Sequence, residues 1–443
     1  MKLVRSLYFS QFFWGVCIGI TLLFILAYIF PGLFGMVKLV FVLWVVFVLT
    51  DAVLLFRHPK GIFARRDTPE HLSNGDENPL QLYLQNNYHF NTQLEIIDEI
   101  PFQFQRRDVL FEAQLTPNET KILRYQLRPT KRGEYNFGAL NVFVQSPLRL
   151  LKRRYRFGEA QMVAVYPSFL QMRQYELLAI SNRLTEFGLK KIRRLGHSME
   201  FEQIRPYVQG DDVRSLNWKA TARRNELMVN AFQDEKSQSI YCLIDKGRVM
   251  KSPFEGLTLL DYAINATLVL SNIALLKQDK AGLITFSEVL GQVLPAERKT
   301  GQLAKILEIL YKQKTRYLES DYETLYANLR VRVRQRSLLL LFTNFETLNA
   351  LQRQLPYLRR MAKEHLLIVV FFENTETAQV LREPTANTEQ IYLKTIAERF
   401  YYEKKRIVVE LQKYGIQSIL TAPKDLNANT VNKYLELKAR GMV

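Results

Sequence analysis

Residues 196–245, GHSMEFEQIRPYVQGDDVRSLNWKATARRNELMVNAFQDEKSQSIYCLID, join a dense polar block to an apolar run that ends in an aspartate. The run QSIYCLID, residues 238–245, has the length and composition of a buried β-strand. In open α/β sheets, ligands bind in the crevice outside the carboxyl ends of the strands. Asp245 is therefore the first candidate site residue of the chain.

The sequence after Asp245 alternates between apolar strand-like runs and helical patterns. The later strand-like runs are KAGLITF, SLLLLFTN, HLLIVVFF and GIQSILTA. Stretches with helical periodicity lie between them, at residues 258–277, 301–313, 348–363 and 389–414. Strands that alternate with helices form parallel βαβ units, so this region predicts an α/β fold with a doubly wound parallel sheet.

The polar block combines several residue types at fixed spacing over about thirty positions, which makes it more specific than a lone glycine motif. It resembles the signature of the domain-of-unknown-function family 58, bacterial proteins built around a von Willebrand A-like domain. The matching residues are Gly196, Glu200, Arg205, Tyr207, Gly210, Asp211, Asp212, Arg214, Asn217, Trp218, Ala222 and Arg223. A second segment resembles the family at Thr130, Arg132, Gly133, Tyr135, Phe137, Ser146, Pro147 and Leu148. The resemblance implies a von Willebrand A-like sheet and partnership with a MoxR-type AAA ATPase in a chaperone-like or envelope-assembly role.

The loops after the first and fourth strands form the ligand end of a von Willebrand A domain, here residues 245–249 and 343–346. A metal-ion-dependent adhesion site there needs an Asp-x-Ser-x-Ser loop, a threonine and a further aspartate, because Mg²⁺ prefers hard oxygen ligands. This chain keeps Asp245, but it has Gly247 and Val249 in place of the serines and Asn344 in place of the later aspartate. We therefore expect no bound metal and no cofactor.

Lys246 and Arg248 add positive charge beside Asp245, which would repel a divalent cation. They leave two interpretations open: a rim that receives an anion or a carboxylate, or a decayed metal site retained as a scaffold. The candidate partner-binding residues are Asp245, Lys246, Gly247, Arg248, Thr343 and Asn344.

The first sixty residues contain two apolar runs. Residues 12–30 carry no charge, and residues 39–56 carry only Asp51, so each run approaches the roughly 20 residues that cross a bilayer as a helix. A cleaved signal peptide is the competing interpretation for the first run. It is disfavoured because no small-x-small cleavage site follows and a second apolar run comes at once.

Basic residues flank the two runs and set the expected orientation. Lys2 and Arg5 precede them and four more basic residues follow them by position 66, whereas the connection holds only Lys38. The positive-inside rule therefore predicts an inner-membrane hairpin with the bulk of the chain in the cytoplasm. The two cysteines, Cys17 and Cys242, form no disulfide or metal-binding pattern, which agrees with this location.

Between the hairpin and the α/β region, short alternating runs rich in aromatic and β-branched residues are separated by Pro, Gly and Asn turns. This pattern predicts an all-β sandwich module. The expected organisation is a transmembrane hairpin at residues 1–58, a β-sandwich module at 74–167, and the signature segment with the von Willebrand A-like domain at 168–443.

The net charge of +18 raises the question of a nucleic-acid partner. Basic clusters occur at residues 152–156, 190–194 and 330–336, the last of which is expected to lead into a strand beginning at Ser337. No nucleic-acid-binding module accompanies them. Attraction to the anionic inner leaflet or a plain solvated face is therefore favoured, and nucleic-acid or anionic-ligand binding stays as an alternative.

The sequence shows no enzyme centre: the five histidines lack zinc spacing, and neither a P-loop nor a nucleophile elbow is present. A hydrolase alternative rests on Asp211 and Asp212 acting with Arg223. A structural role is favoured, in which Asp212 caps a helix or pairs with an arginine and Trp218 anchors the segment on the sheet. The preferred interpretation is a membrane-anchored interaction protein without catalytic residues or a small-molecule substrate, whose Asp245 and Asn344 loops meet a partner.

Overall fold

The computed structural model describes residues 6–106, 110–158, 161–181, 199–209, 213, 216–234, 237–382, 384 and 387–442. The chain divides into two compact units, Met1–Tyr166 and Pro167–Val443.

The first unit begins with a short strand, β1 (Leu7–Phe9), followed by two long helices, α1 (Gln11–Ile29) and α2 (Phe34–Phe56). Ser10 caps α1, because its Oγ accepts a hydrogen bond from the Phe13 amide at 3.0 Å. Both helices are long and apolar enough to span a membrane, and most of their side chains are exposed. This pair is consistent with the predicted membrane anchor. The second helix starts earlier than its apolar run, because residues 34–38 continue it.

Ten further strands complete the first unit. They are β2 (Ile62–Asp67), β3 (His71–Ser73), β4 (Asn78–Asn86), β5 (Thr92–Asp98), β6 (Leu110–Leu115), β7 (Thr120–Leu127), β8 (Gly133–Phe137), β9 (Leu140–Gln145), β10 (Leu151–Phe157) and β11 (Gln161–Tyr166). They form three sheets with the orders β1-β10-β9-β5-β6, β2-β4-β7 and β3-β11-β8. The sheets are sandwich-like, as the alternating pattern predicts, but the strands begin before Asn74, at Ile62.

Alternation along the strands builds the core of this unit. In β4, for example, Leu80, Leu82 and Leu84 are completely buried, whereas the residues between them are more exposed. A strand points successive side chains to opposite faces, so this period-two pattern turns one apolar face inward.

Asp51 links α2 to the β-sheets of the first unit. The residue is completely buried, and its carboxylate accepts hydrogen bonds from the Leu150 amide at 3.1 Å, the Leu151 amide at 2.8 Å and the Ser146 hydroxyl. The one charge in the second apolar run therefore holds the loop between β9 and β10 against the helix.

The second unit contains a small two-stranded sheet and a large mixed sheet. Its elements are α3 (Phe169–Ser181), β12 (Met199–Pro206), α4 (Trp218–Arg224), β13 (Met228–Asp234), β14 (Ser239–Asp245), β15 (Pro253–Phe254), β16 (Leu257–Thr258), α5 (Leu259–Leu276), β17 (Lys280–Phe286), β18 (Leu290–Glu297), α6 (Gln302–Tyr311), α7 (Tyr322–Arg332), β19 (Leu338–Phe342), α8 (Leu348–Glu364), β20 (Leu366–Phe372), α9 (Thr375–Arg382), α10 (Thr388–Lys413), β21 (Gln417–Thr421) and α11 (Leu426–Ala439).

The large sheet has six strands in the order β18-β17-β14-β19-β20-β21. Five strands are parallel, and β18 pairs with β17 in the antiparallel direction at one edge. The apolar runs predict the five parallel strands, and the antiparallel edge strand is an addition to the predicted pattern.

Helices cover both faces of this sheet. Side chains of α5, α6 and α11 pack on one face, where Cys242 and Ile244 are buried. Side chains of α7, α8 and α10 pack on the other face, against Tyr241 and Leu243. Although α5 is also apolar enough to span a membrane, most of it lies inside this core.

Residues 330–336 differ from their predicted role as the lead into a strand. Arg330 and Arg332 belong to the last turn of α7, and the strand begins only at Leu338. The arginines are two residues apart, which is the spacing of a strand. Leu325 and Leu329 are buried and four residues apart, which is the spacing of a helix packed on the sheet, and α7 follows this second pattern.

Candidate functional site

Asp245 lies at the point where the order of the parallel strands reverses. It is the last residue of β14, whose two neighbours are β17 on one side and β19 on the other. Thr343 follows β19 directly, so the two residues meet at the carboxyl edge of the sheet. This is the position at which open α/β sheets form binding crevices.

The Asp245 carboxylate is enclosed by hydrogen-bond donors from three loops. Its Oδ1 accepts from the Gly247 amide at 2.8 Å and from the Ser320 hydroxyl, and its Oδ2 accepts from Thr343 Oγ1 at 2.7 Å. The Tyr322 hydroxyl lies 3.3 Å from Oδ2 and 2.7 Å from Thr343 Oγ1. The carboxylate is 1% exposed, so its acceptors are satisfied from within the protein.

Burial dominates the electrostatics of this cluster. It raises the pKa of the Asp245 carboxyl above its ordinary value, and the hydrogen bonds from Ser320, Gly247 and Thr343 act in the opposite direction. Burial and the neighbouring Asp245 charge raise the pKa of Tyr322 well above its ordinary value. The tyrosine therefore stays a neutral hydrogen-bonding group at physiological pH.

Ser320 and Tyr322 are site residues that the sequence analysis does not identify. They flank Asp321, whose carboxylate caps α7 by accepting from the Glu323 and Thr324 amides at 2.9 and 3.2 Å. An aspartate cap before a helix is a visible signal in the sequence. That signal places the start of a helix near the sheet, but it does not identify the strand end that the helix start contacts.

The geometry does not fit the magnesium site of an adhesion-type domain. A β-carbon on Gly247 would lie 2.2 Å from Ser320 Oγ, so a serine at this position would displace the Ser320 hydroxyl. Val249 offers no ligand oxygen, and the side-chain oxygen of Asn344 accepts a hydrogen bond from Lys404 Nζ at 2.7 Å. Within the described residues, no group of three His, Cys, Asp or Glu side chains could hold a metal ion.

Lys246 and Arg248, which the sequence places together on a rim, lie in different environments. Lys246 is 9% exposed, and its Nζ is 3.0 Å from the position that a β-carbon on Gly291 would take. Burial and the nearby Arg316 lower the pKa of Lys246. The Arg248 side chain is 68% exposed and lies 4.0 Å from Glu319. Of the six candidate partner-binding residues, Arg248 is therefore the exposed one.

Lys404 joins α10 to the loop after β19. It is 8% exposed, and its ammonium group donates to Asn344 Oδ1 at 2.7 Å and to the Phe345 carbonyl at 2.6 Å. Burial lowers the pKa of Lys404 to about 8, and Glu346 opposes this shift. A signal for this residue exists in the sequence, because Ala397, Lys404 and Leu411 follow one another at intervals of seven along the inner face of α10.

A cavity of about 500 Å³ lies beside Lys404. Its apolar walls include Phe254, Phe372 and Phe400, and Glu346 and Glu373 contribute carboxylates. The size and the mixed lining are within the range of small-ligand and side-chain pockets in proteins. The carboxyl edge of the sheet thus presents a concave surface next to the closed Asp245 cluster.

The described part of the signature segment forms a small structural module. Tyr207 donates its amide to the Leu227 carbonyl at 2.8 Å. Asn217 caps α4 by accepting from the Ala220 amide at 3.0 Å, and its Nδ2 donates to Asn230 at 2.8 Å. Arg205 and Glu200 lie in β12, and Ala222 and Arg223 lie in α4.

Trp218 differs from its predicted role as an apolar anchor, because it is 69% exposed at the first position of α4. The short helix that carries it is held by the Asn217 cap and not by burial of the indole. Five signature residues lie outside the described residues: Gly196, Gly210, Asp211, Asp212 and Arg214.

Comparisons with known proteins match part of the chain. The family model described as "Protein of unknown function DUF58" matches residues 203–381. The "Uncharacterized protein YeaD" of Bacillus subtilis (strain 168) is 29% identical over 126 residues, which are 28% of this chain and 31% of that relative. The chain therefore matches about a third of the length of this relative.

Two solved structures resemble part of the chain weakly. A proximal thread matrix protein from mussel byssus covers 44% of this chain and 45% of its own, with 10% identity and a TM-score of 0.26. The PapD-like domain of human CEP192 covers 24% of this chain and 83% of its own, with 13% identity and a TM-score of 0.18. The strand order and the helices on both faces define the fold of the second unit. This chain is thus similar to DUF58, a family of unknown function, over residues 203–381, and to YeaD over 126 residues.

Proposed function

We propose that this chain is anchored in the membrane with its bulk in the cytoplasm. There it binds a partner protein at the carboxyl edge of a von Willebrand A-like sheet. Three features support the fold assignment: five parallel strands, an order that reverses between β17 and β19, and helices on both faces. The basic residues that flank the two apolar helices support the cytoplasmic location of the bulk of the chain.

Recognition at this edge works without a metal ion. The Asp245 carboxylate is held by Gly247, Ser320 and Thr343, so no oxygen of this residue is left for an external ligand. The cluster fixes the relative positions of the loops after β14 and β19 and the start of α7. Its role is to shape the surface, and the groups that touch the partner lie around it.

Exposed apolar side chains on α10 are the observation that carries the proposal. Phe400 lines the cavity beside Lys404 and is 49% exposed, and Ile396, Leu393 and Tyr392 on the preceding turns are 45%, 54% and 72% exposed. Clustered exposed apolar residues are typical of protein interaction sites. Aromatic residues are enriched at protein interfaces, and so is arginine, which the exposed Arg248 contributes just after the end of β14.

The partner that the family resemblance implies is a MoxR-type AAA ATPase. Its role would be chaperone-like or in assembly at the cell envelope, with this chain as the docking subunit at the inner membrane. No catalytic residue of this chain takes part in that role.

Site-specific photocrosslinking in native membranes tests the proposal. We expect a photoreactive phenylalanine analogue at position 400 to crosslink to a MoxR-type AAA ATPase, identified by mass spectrometry. The same analogue at Lys305, on the exposed surface of α6, is the control. Equal or absent crosslinking of the ATPase at the two positions would contradict the proposal.

A pull-down with surface variants provides a second test. Phe400→Glu and Arg248→Glu change exposed side chains, so we expect each to lower recovery of the ATPase by about tenfold while the chain stays folded. Asp245→Ala is unsuitable for this purpose, because it would disturb the fold through the buried cluster. Unchanged recovery with both variants would move the interface away from this edge.

A further inference from the structure

A groove of about 650 Å³ lies between α7 and α8 and is lined by arginines. Arg330 and Arg334 come from the end of α7 and the residues after it, and Arg360 comes from the last turns of α8. Tyr326 and Tyr357 contribute aromatic surface. The groove runs along α7 from Glu323 onward, and its three arginines lie toward the C-terminal ends of α7 and α8. Tyr322, at the start of α7, contacts the Asp245 cluster.

Among the described residues, no carboxylate pairs with the guanidinium groups in this groove. Two glutamates are near, but the Tyr326 hydroxyl donates to Glu364 at 3.0 Å and the Tyr357 hydroxyl donates to Glu323 at 2.8 Å. In the part of the chain that the structure describes, the ion pairs do not include Arg330, Arg334 or Arg360.

Some other exposed cations of this unit are paired with a nearby carboxylate. Lys299 lies 3.2 Å from Glu297, and Arg440 lies 2.7 Å from Glu436. The three arginines of the groove combine a concave position with guanidinium groups that are in no ion pair with a described residue.

Guanidinium groups bind carboxylates and phosphates through paired N–H donors. One feature of the groove favours a polypeptide over a phosphate polymer. The exposed Val331 in its lining offers an apolar contact that side chains can use and a phosphate backbone cannot. A flat bilayer surface would not enter a concave site between two helices.

We propose that the groove formed by Arg330, Arg334 and Arg360 binds an acidic segment of a protein partner, one rich in aspartate and glutamate. The carboxylates of that segment pair with the three guanidinium groups, and the tyrosine rings contact its backbone and side-chain methylene groups. This surface is separate from the carboxyl edge, so either interaction can fail while the other stands.

The test measures binding of a short fluorescent poly-L-glutamate peptide to the full chain in nanodiscs of neutral lipid, by fluorescence anisotropy at low salt. We expect the triple variant Arg330→Glu, Arg334→Glu and Arg360→Glu to weaken binding by about tenfold or more, because three charge pairs become repulsive. The control is Lys299→Glu, Lys305→Glu and Arg440→Glu, which changes the net charge equally. It should alter affinity by about twofold or less, since long-range charge effects are screened.

A second triple variant keeps the positive charges and removes the planar guanidinium groups. Arg330→Lys, Arg334→Lys and Arg360→Lys should weaken binding by a few fold, since lysine does not pair bidentately with carboxylates. Because this variant changes only exposed side chains, it separates loss of recognition from loss of folding, and a thermal melt of each variant checks the fold.

Two further probes test whether the groove binds nucleic acid or an anionic membrane instead of an acidic peptide. A duplex DNA oligonucleotide and vesicles containing phosphatidylserine are tested against the wild type and the glutamate triple variant. The proposal is overturned if the groove and control variants lose poly-L-glutamate binding equally, or if the groove variant loses DNA or vesicle binding while it keeps poly-L-glutamate binding.

Discussion

Asp51 in the first unit and Asp245 in the second are both buried carboxylates, and different kinds of hydrogen-bond donor satisfy them. Asp51 is satisfied mainly by consecutive backbone amides, those of Leu150 and Leu151, together with the Ser146 hydroxyl. Asp245 is satisfied mainly by side-chain hydroxyls, those of Ser320 and Thr343, together with the Gly247 amide. A buried carboxylate requires several donors, and both sites provide them.

The difference lies in where the donors come from. The Asp51 donors belong to one loop, so a single segment is held to α2. The Asp245 donors come from three loops, and Ser320 is 75 residues away in the chain. A carboxylate bound by one loop fixes that loop, whereas a carboxylate bound by three loops fixes a surface. The comparison explains why the Asp245 cluster, and not Asp51, lies under the proposed partner-binding edge.

Removal of the Asp51 carboxylate should have the largest effect on stability. Asp51→Leu leaves the Leu150 and Leu151 amides buried without an acceptor, which costs roughly 2–5 kcal/mol. The expected result is a lower unfolding temperature of the full chain in detergent, with early proteolysis in the first unit. The control is Thr50→Val, because Thr50 is exposed on α2 and bonds only within the helix. Equal melting temperatures for Asp51→Leu and Thr50→Val would show that the loop is held by other contacts.

Ser320→Ala should have the next largest effect, confined to the second unit. It removes one neutral donor from a buried carboxylate, and hydrogen bonds to charged groups contribute about 1.5–3 kcal/mol. The control is Ser252→Ala, which removes an exposed hydroxyl. Chemical denaturation of the full chain measures both variants. A loss no larger than that of Ser252→Ala would mean that the hydroxyls of Thr343 and Tyr322 are sufficient for Asp245.

The contrast between the two aspartates also shows what the sequence can predict. The apolar runs predict both membrane-type helices and all five parallel strands, because burial on two faces leaves long stretches of Val, Ile and Leu. The position of Asp245 at a strand end follows from the same pattern. Periodicity is local, so it works for elements whose burial repeats along the chain.

Contacts between distant segments are not encoded in this way. The hydroxyls of Ser320 and Tyr322 reach Asp245 through the packing of α7 on the sheet, and no spacing in the sequence specifies that contact. Trp218 shows the opposite error, because a large aromatic residue suggests burial but the indole is 69% exposed. Lys404 lies on the inner face of α10. Periodicity shows that a charge is unusual at this position, but it does not predict the hydrogen bonds of Lys404 to the loop after β19.

Asp245→Asn should change how the free energy of unfolding depends on pH. Burial raises the folded-state pKa of Asp245 above its ordinary value of 3.8, so the folded chain binds this proton more readily than the unfolded chain between the two values. Relative to Asp245→Asn, the wild type should therefore gain stability as the pH falls from the raised pKa toward 3.8, and lose it as the pH rises. The change is at most about 1.4 kcal/mol per pH unit. Denaturation curves of both proteins across this range measure it, and a constant difference would contradict the assignment.

Tyr322→Phe should have the smallest effect, because it tests a hydroxyl that supports Asp245 mainly through Thr343. The ring keeps its contacts with Phe286 and Phe345, whose centroids lie 5.4 and 6.1 Å away. Thr343 still donates to Asp245, so the expected loss is about 0.5–1.5 kcal/mol, that of one ordinary hydrogen bond. Chemical denaturation of Tyr322→Phe and Ser320→Ala under the same conditions measures the difference between their stability losses. A loss as large as that of Ser320→Ala would show that Tyr322 donates directly to the carboxylate, and that all four donors are equivalent.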